Sequence, residues 1–152
     1  LPALKKTRRI VSSEKGKSFM SSEFTNADMS SPSSAEFLNA HLPGSGEGGL
    51  WKIESKPSTP EKEDEYGFSK RISYIDMKSY QVRKMEFYNF DNELYKVITI
   101  NDVLQLPGGR FIIKDMIAEN TSNGRSSRIQ FSKIETGGNI DDAIFTTQNL
   151  ER

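Results

Sequence analysis

The sequence predicts a mainly β chain of the α+β kind, organised around an antiparallel meander. Three observations carry this. From Phe68 onward apolar and polar residues alternate in runs of strand length. Four turn signals separate those runs: Asp76–Ser79, Phe90–Glu93, Leu106–Gly109 and Ser122–Arg125. No stretch between them is long and periodic enough to serve as a helical crossover, which excludes a parallel sheet.

The elements can be taken in order. Lys5–Ser12, with Thr7, Ile10 and Val11 and no helical period, reads as a strand whose basic residues discourage edge pairing. Residues 13–49 turn to Ser, Asn, Gly and Pro and read as a long strap. Within it Thr25–Met29 suits one capped helical turn, and Ser34–Ala40 suits a second short helix. The glycine cluster Gly44–Gly49 reads as a flexible linker, since no Lys-Ser/Thr and no helix follow it to make a phosphate cradle. Leu50–Ser55 alternates as a strand with Trp51 and Ile53 on one face. Lys56–Glu65 has two prolines and an acidic cluster and reads as a solvated loop. Strands are then expected over Phe68–Ile75, Val82–Phe90, Leu94–Ile100, Arg110–Glu119 and Ser127–Glu135, the Asn123-Gly124 pair giving the strongest hairpin signal.

Composition narrows the function. The chain has 152 residues, enough for one domain or part of one, but only 34% are hydrophobic, so some segments are expected to add little to a core. Mean hydropathy is −0.63. Lys plus Arg and Asp plus Glu balance at 21 each, which removes the field a nucleic-acid binder carries. The absence of cysteine excludes disulfides, thiolate metal sites and cysteine nucleophiles from this chain. The apolar runs are a few residues long, against the roughly 20 of a membrane-spanning helix. The sequence opens at Leu1-Pro2-Ala3-Leu4 without a Met or a basic-then-apolar leader, as expected either of a chain whose leader has been removed or of a piece of a longer one.

No catalytic constellation emerges. The single histidine, His41, falls in the strap among abundant serines, and a surface role is expected for it. No calcium-type Asp-x-Asp-x-Asp-Gly loop is present, and Asp141-Asp142 beside a Gly-Gly turn reads as a cap, so no metal and no cofactor are expected. What remains is the sheet. Trp51, Ile72, Tyr74, Met85, Phe87, Tyr95, Val97, Phe111, Ile113, Ile129 and Phe131 are the candidates to line a cavity or a core. Apolar residues occupy both faces of several strands, so two readings stay open: a sheet that fills itself, or one that holds an acyl chain by apolar area, at about 0.8 kcal/mol per buried methylene.

The order and spacing of short motifs resemble the outer-membrane lipoprotein-sorting proteins of the LolA-like periplasmic carrier superfamily. Pro2–Ile10 resembles the family's opening strand, and Ser18–Thr25 with Asp28-Met29 resembles its strap. Ile72–Asp76 and Met85–Tyr88 are similar to its paired central strands, Met116 with Glu119-Asn120 to the strand after its Gly-x-Trp turn, and Phe145-Thr146 with Leu150–Arg152 to its closing segment. Phe111 stands where many relatives carry Trp, and Ile113 where they carry Pro; both keep the strand apolar. The resemblance implies a curved antiparallel sheet forming an incomplete, unclosed β-barrel with short helices. It implies one such half-barrel domain over residues 1–152, lacking an N-terminal helix and first strands that would lie upstream of Leu1. It also implies a non-enzymatic protein of the periplasm or another extracytoplasmic compartment that binds and transports lipid or lipoprotein acyl chains. An envelope transporter or an outer-membrane receptor is its implied protein partner. The strap over residues 13–49, rich in Gly and Ser with intermittent Phe, Met and Leu, reads either as the movable wall a carrier needs or as a plain covering loop. The alternative is a sensory or exporter-accessory module of the same fold without carrier activity.

Overall fold

A computed structural model describes residues 15–29 and 34–132. Seven antiparallel strands follow chain order in one sheet: β1 Phe37–His41, β2 Leu50–Pro57, β3 Lys70–Asp76, β4 Val82–Tyr88, β5 Leu94–Gln105, β6 Phe111–Asn120 and β7 Ser126–Gln130. Among the described residues β1 and β7 are unpaired with each other, so the barrel is not closed. Register shifts in β3/β4, β4/β5 and twice in β5/β6 mark bulges, which bend and twist strands. The strand expected over Lys5–Ser12, and the closing segment Phe145–Arg152, lie outside the described residues.

Short polar side chains set the hairpins. Asp76 Oδ1 accepts the N–H groups of Lys78 and Ser79, both at 2.9 Å. Asn89 Oδ1 accepts those of Asp91 and Glu93 at 3.0 and 2.9 Å, and Asn120 Oδ1 those of Ser122 and Asn123 at 2.9 and 3.2 Å. Each side chain thus satisfies backbone donors that the turn removes from the ladder. Gly124, at φ 75°, supplies the left-handed residue that closes the last hairpin.

Two elements differ from expectation. Ser34–Ala40 is not a helix: a 3-10 turn at Ser34–Glu36 runs straight into β1, because the full β1–β2 ladder and burial of Phe37 outweigh the weak helix propensity of so short a segment. The acidic loop is a helix, α1 Pro60–Tyr66, with Thr59 Oγ1 accepting the Lys62 N–H at 3.2 Å, Pro60 in the first turn and Gly67 in the left-handed conformation at its end. Pro at the start and Gly past the end are a helix frame, and Glu61 and Glu63 favour its N-terminus. The remaining strands fall near their expected places, β5 running on to Gln105 past its bulges. Among the described residues no helix is long and apolar enough to cross a membrane.

The strap, residues 15–29, folds back on itself through a Ser18–Thr25 bridge and ends in the expected capped turn. There Thr25 N–H reaches Asp28 Oδ2 at 2.8 Å and Asp28 N–H reaches Thr25 Oγ1 at 3.3 Å. It carries Phe24, wholly excluded from solvent, into a core with Phe37, Tyr66, Phe68, Phe87, Ile98, Ile100 and Ala118. The Phe37, Tyr66, Phe68 and Phe87 rings join end to end at centroid distances of 4.8–6.2 Å, the range of favourable aromatic pairs. Phe24→Ala is expected to cost about 3–5 kcal/mol in denaturant unfolding; an effect near zero would show that the strap is an ornament on a core complete without it.

Candidate ligand-binding cavity

Register partners define rows across the sheet, and the rows decide what faces inward. One row runs Asn39, Ser55, Arg71, Phe87, Lys96, Asn120; the next runs His41, Ile53, Ser73, Met85, Ile98, Ala118, Ser127. The buried Phe87, Ile98 and Ala118 identify this as the inner face. On the outer face run Glu54, Ile72, Glu86, Val97, Glu119 and, beside them, Lys52, Tyr74, Lys84, Thr99, Ile117, Arg128.

The strap covers the inner face around Lys96 of β5, Asn120 of β6 and Ser127 of β7. Asp28 receives Lys96 Nζ at 2.8 Å, both side chains less than a tenth exposed, and Lys96 Nζ lies 4.2 Å from the Phe87 ring centre. Glu23 N–H donates to Ser127 Oγ at 3.0 Å, and Glu23 Oε2 accepts from Asn120 Nδ2 at 3.3 Å. Among the described residues the rest of the inner face, from β1 across to the Ile100 and Phe111–Ile113 segments of β5 and β6, borders a cavity of about 520 Å³, inside the roughly 300–1,000 Å³ range of small-molecule sites. Ile53, Ile75, Val82, Met85, Phe87, Ile100, Phe111 and Ile113 form its apolar walls; Asn39, Ser55, Arg71, Ser73, Asp28 and Tyr66 supply the polar atoms.

Of the eleven candidates, the structure gathers Met85, Phe87, Phe111 and Ile113 around this cavity. Ile72, Tyr74 and Val97 share rows with Glu54, Lys52 and Glu86 on the outer face. Tyr74 sits there between Lys52 and Lys84, at 5.7 and 4.6 Å from its ring centre; its hydroxyl donates to Glu86 at 2.6 Å, and burial and that carboxylate push its pKa up to about 12. Trp51 lies beyond the cavity against His41 and Tyr80. Tyr95 and Ile129 pack on the core, burial raising the Tyr95 phenol, and Phe131 is exposed past the end of β7. Sequence reading missed Ile53's neighbours Ser55 and Arg71, although the signal was present: Arg71, Ser73 and Ile75 alternate as strictly as Ile72 and Tyr74.

Two electrostatic features frame the cavity. Glu36, at the β1 edge, accepts from Tyr66 Oη at 2.6 Å, Lys62 Nζ at 2.9 Å and Lys15 Nζ at 3.2 Å, which lowers its pKa from 4.5 to about 2. Arg71 lies on the cavity floor with its guanidinium 4.9 Å from the Phe37 ring centre; burial lowers its pKa, and the Asp28 charge opposes that. His41 is on β1, its Nδ1 2.7 Å from Ser45 Oγ, which also accepts the Lys52 N–H at 2.9 Å. Among the described residues no three His, Cys, Asp or Glu side chains converge as a metal site. The His41–Ser45 pair is not among the residues that line the cavity.

A family model described as "-like: Uncharacterized protein" matches residues 1–152. No curated protein matches the chain. Among solved structures, an outer membrane lipoprotein-sorting protein domain from Vibrio parahaemolyticus is similar over the whole chain, with 27% identity and a TM-score of 0.83. A DUF1329 family protein from Desulfovibrio piger is similar over 94% of the chain, at 21% identity and TM-score 0.76. A LolA superfamily protein from Nitrosomonas europaea is similar over 96%, at 13% and 0.61, and shares the fold. The chain spans 64%, 59% and 64% of those three structures' own lengths.

Asp28→Asn strands the buried Lys96 ammonium and is expected to cost about 3–5 kcal/mol in equilibrium unfolding, most of it regained when Lys96→Met is added. Glu36 has a folded pKa below its ordinary one, so its stabilisation is complete above pH 4.5 and lost as pH falls toward about 2. Melting curves of the parent and Glu36→Gln should therefore differ at pH 7 and converge near pH 2; a constant gap would contradict the assignment.

Proposed function

The chain belongs to a LolA-like family, and on that premise we propose that it binds the acyl chain of a lipid or lipoprotein in the cavity of its inner face, outside the cytoplasm. One observation carries the reading: among the described residues, the inner face beside the strap holds an apolar-walled cavity of about 520 Å³. A sheet that merely filled itself would have no such space, since interiors pack with few voids larger than a water molecule. Each methylene placed against Ile53, Ile75, Val82 and Met85 contributes about 0.8 kcal/mol, so affinity accrues without any reactive group.

The likeness to a lipoprotein-sorting domain supports a carrier, which must also release what it binds. The strap is a poor candidate for the moving part. Phe24 and the Asp28–Lys96 pair tie residues 15–29 to the core, so lifting them exposes a buried aromatic ring and parts a buried ion pair. Release through the open side, past the partly exposed Phe111, leaves the core intact. Transporter or receptor partners belong to this same proposal and rest on the same likeness.

Native mass spectrometry of the purified protein exposed to a lipid extract should show a retained acylated species. Ile53→Trp, which takes up part of the cavity, should weaken retention about tenfold, the equivalent of displacing two methylenes. Equal retention by parent and variant, or none by the parent, would remove the reading.

A further inference from the structure

We propose that Arg71 anchors an anionic head group, so that the preferred guest is an amphiphile whose apolar chain ends in a carboxylate or a phosphate. The inference rests on the acyl-binding reading and names the ligand class within it.

The argument comes from one row of the sheet. Asn39, Ser55, Arg71, Phe87, Lys96 and Asn120 lie side by side across six strands. At the strap end each polar member has a partner: Lys96 has Asp28 and Asn120 has Glu23. At the cavity end Ser55 donates to Asn39 Oδ1 at 2.6 Å. Arg71 breaks the pattern. Its Nε is buried and has no hydrogen-bond partner among the described residues. The carboxylate that lines the same cavity, Asp28, is engaged by Lys96 Nζ and the Thr25 N–H, each at 2.8 Å.

Physical chemistry says what is missing. A buried guanidinium N–H without an acceptor carries its full desolvation cost, and a face of Phe37 meets the cation without accepting from Nε in the ring plane. The planar fork of arginine matches the two oxygens of a carboxylate or phosphate, which a neutral ester or alcohol does not offer. The position suits a head group: Arg71 shares its face of β3 with Ser73 and Ile75, so a chain leaving the guanidinium passes directly onto Ile75, Val82 and Met85. An apolar cavity lined by a cation whose buried Nε has no acceptor among the described residues selects anionic amphiphiles over neutral ones.

Titration calorimetry with dodecanoate, dodecyl phosphate and dodecanol tests this on the chain as it is. Dodecanoate is expected to bind about tenfold or more tighter than dodecanol, the scale of one charge-assisted hydrogen bond. Arg71→Met should abolish that preference, bringing dodecanoate and dodecanol to equal affinity; Arg71→Lys, a point charge without the fork, should keep part of it. Tighter binding of dodecyl phosphate than of dodecanoate would point to a phospholipid head, and the reverse order to a free fatty acid, both within the proposal. Dodecanol bound as tightly as dodecanoate, or an anion preference that survives Arg71→Met, would overturn the anchor while leaving acyl binding in place. If none of the three binds, both readings fall. Should Arg71→Met fail to fold, the acid-to-alcohol comparison on the unaltered chain decides.

Discussion

The buried contact between Asp28 and Lys96 organises the inner face. An ammonium on a central strand with its side chain 4% exposed is tolerable only when a carboxylate meets it, and the strap delivers one at 2.8 Å. That requirement positions the strap, brings Phe24 into the core, and covers the inner face around Lys96, Asn120 and Ser127. The shape of the cavity is what the strap leaves over. A cation in the same row two strands away, Arg71, has no carboxylate in ion-pair contact among the described residues, and that difference distinguishes the packed end of the row from the end that borders the cavity.

The aromatic chain Phe37–Tyr66–Phe68–Phe87 forms one boundary of the cavity, Tyr66, Phe68 and Phe87 being among its lining residues. It ties α1 and β1 to the middle of the sheet, and Glu36 with Tyr66, Lys62 and Lys15 holds the same corner from the polar side. The bulges in β3–β6 then bend the sheet around this boundary, so the walls Ile53, Met85, Ile100 and Ile113 converge on one space although they come from four strands.

The outer face shows how apolar composition can mislead. Tyr74 reads as a core residue, yet it spreads its ring under two lysines and gives its hydroxyl to Glu86, an arrangement that suits an amphipathic side chain on a wet surface. Ile72 is buried there among charged neighbours in its row. On β3 both alternating sets contain apolar residues, Ile72 and Tyr74 against Ile75, so hydrophobicity alone points the strand the wrong way round. The inward Arg71 and Ser73 become intelligible only once their row is known.

The antiparallel meander, its turns at Asp76–Ser79, Phe90–Glu93 and Ser122–Arg125, and the capped turn at Thr25–Met29 were legible in the sequence, because turn chemistry and strand alternation act over a few residues and need no distant partner; that Asn89 and Asn120 hold two of those turns was not. The cap and frame of α1 were equally local, at Thr59, Pro60 and Gly67, and were obscured by an acidic composition that resembles loop. Tertiary structure alone decided that Ser34–Ala40 ends in a strand, which face of β3 turns inward, and that Asp28 lands on Lys96 across 68 positions of chain. Each of these is settled by pairing between segments far apart in sequence, and such pairing leaves no periodic trace in either segment by itself.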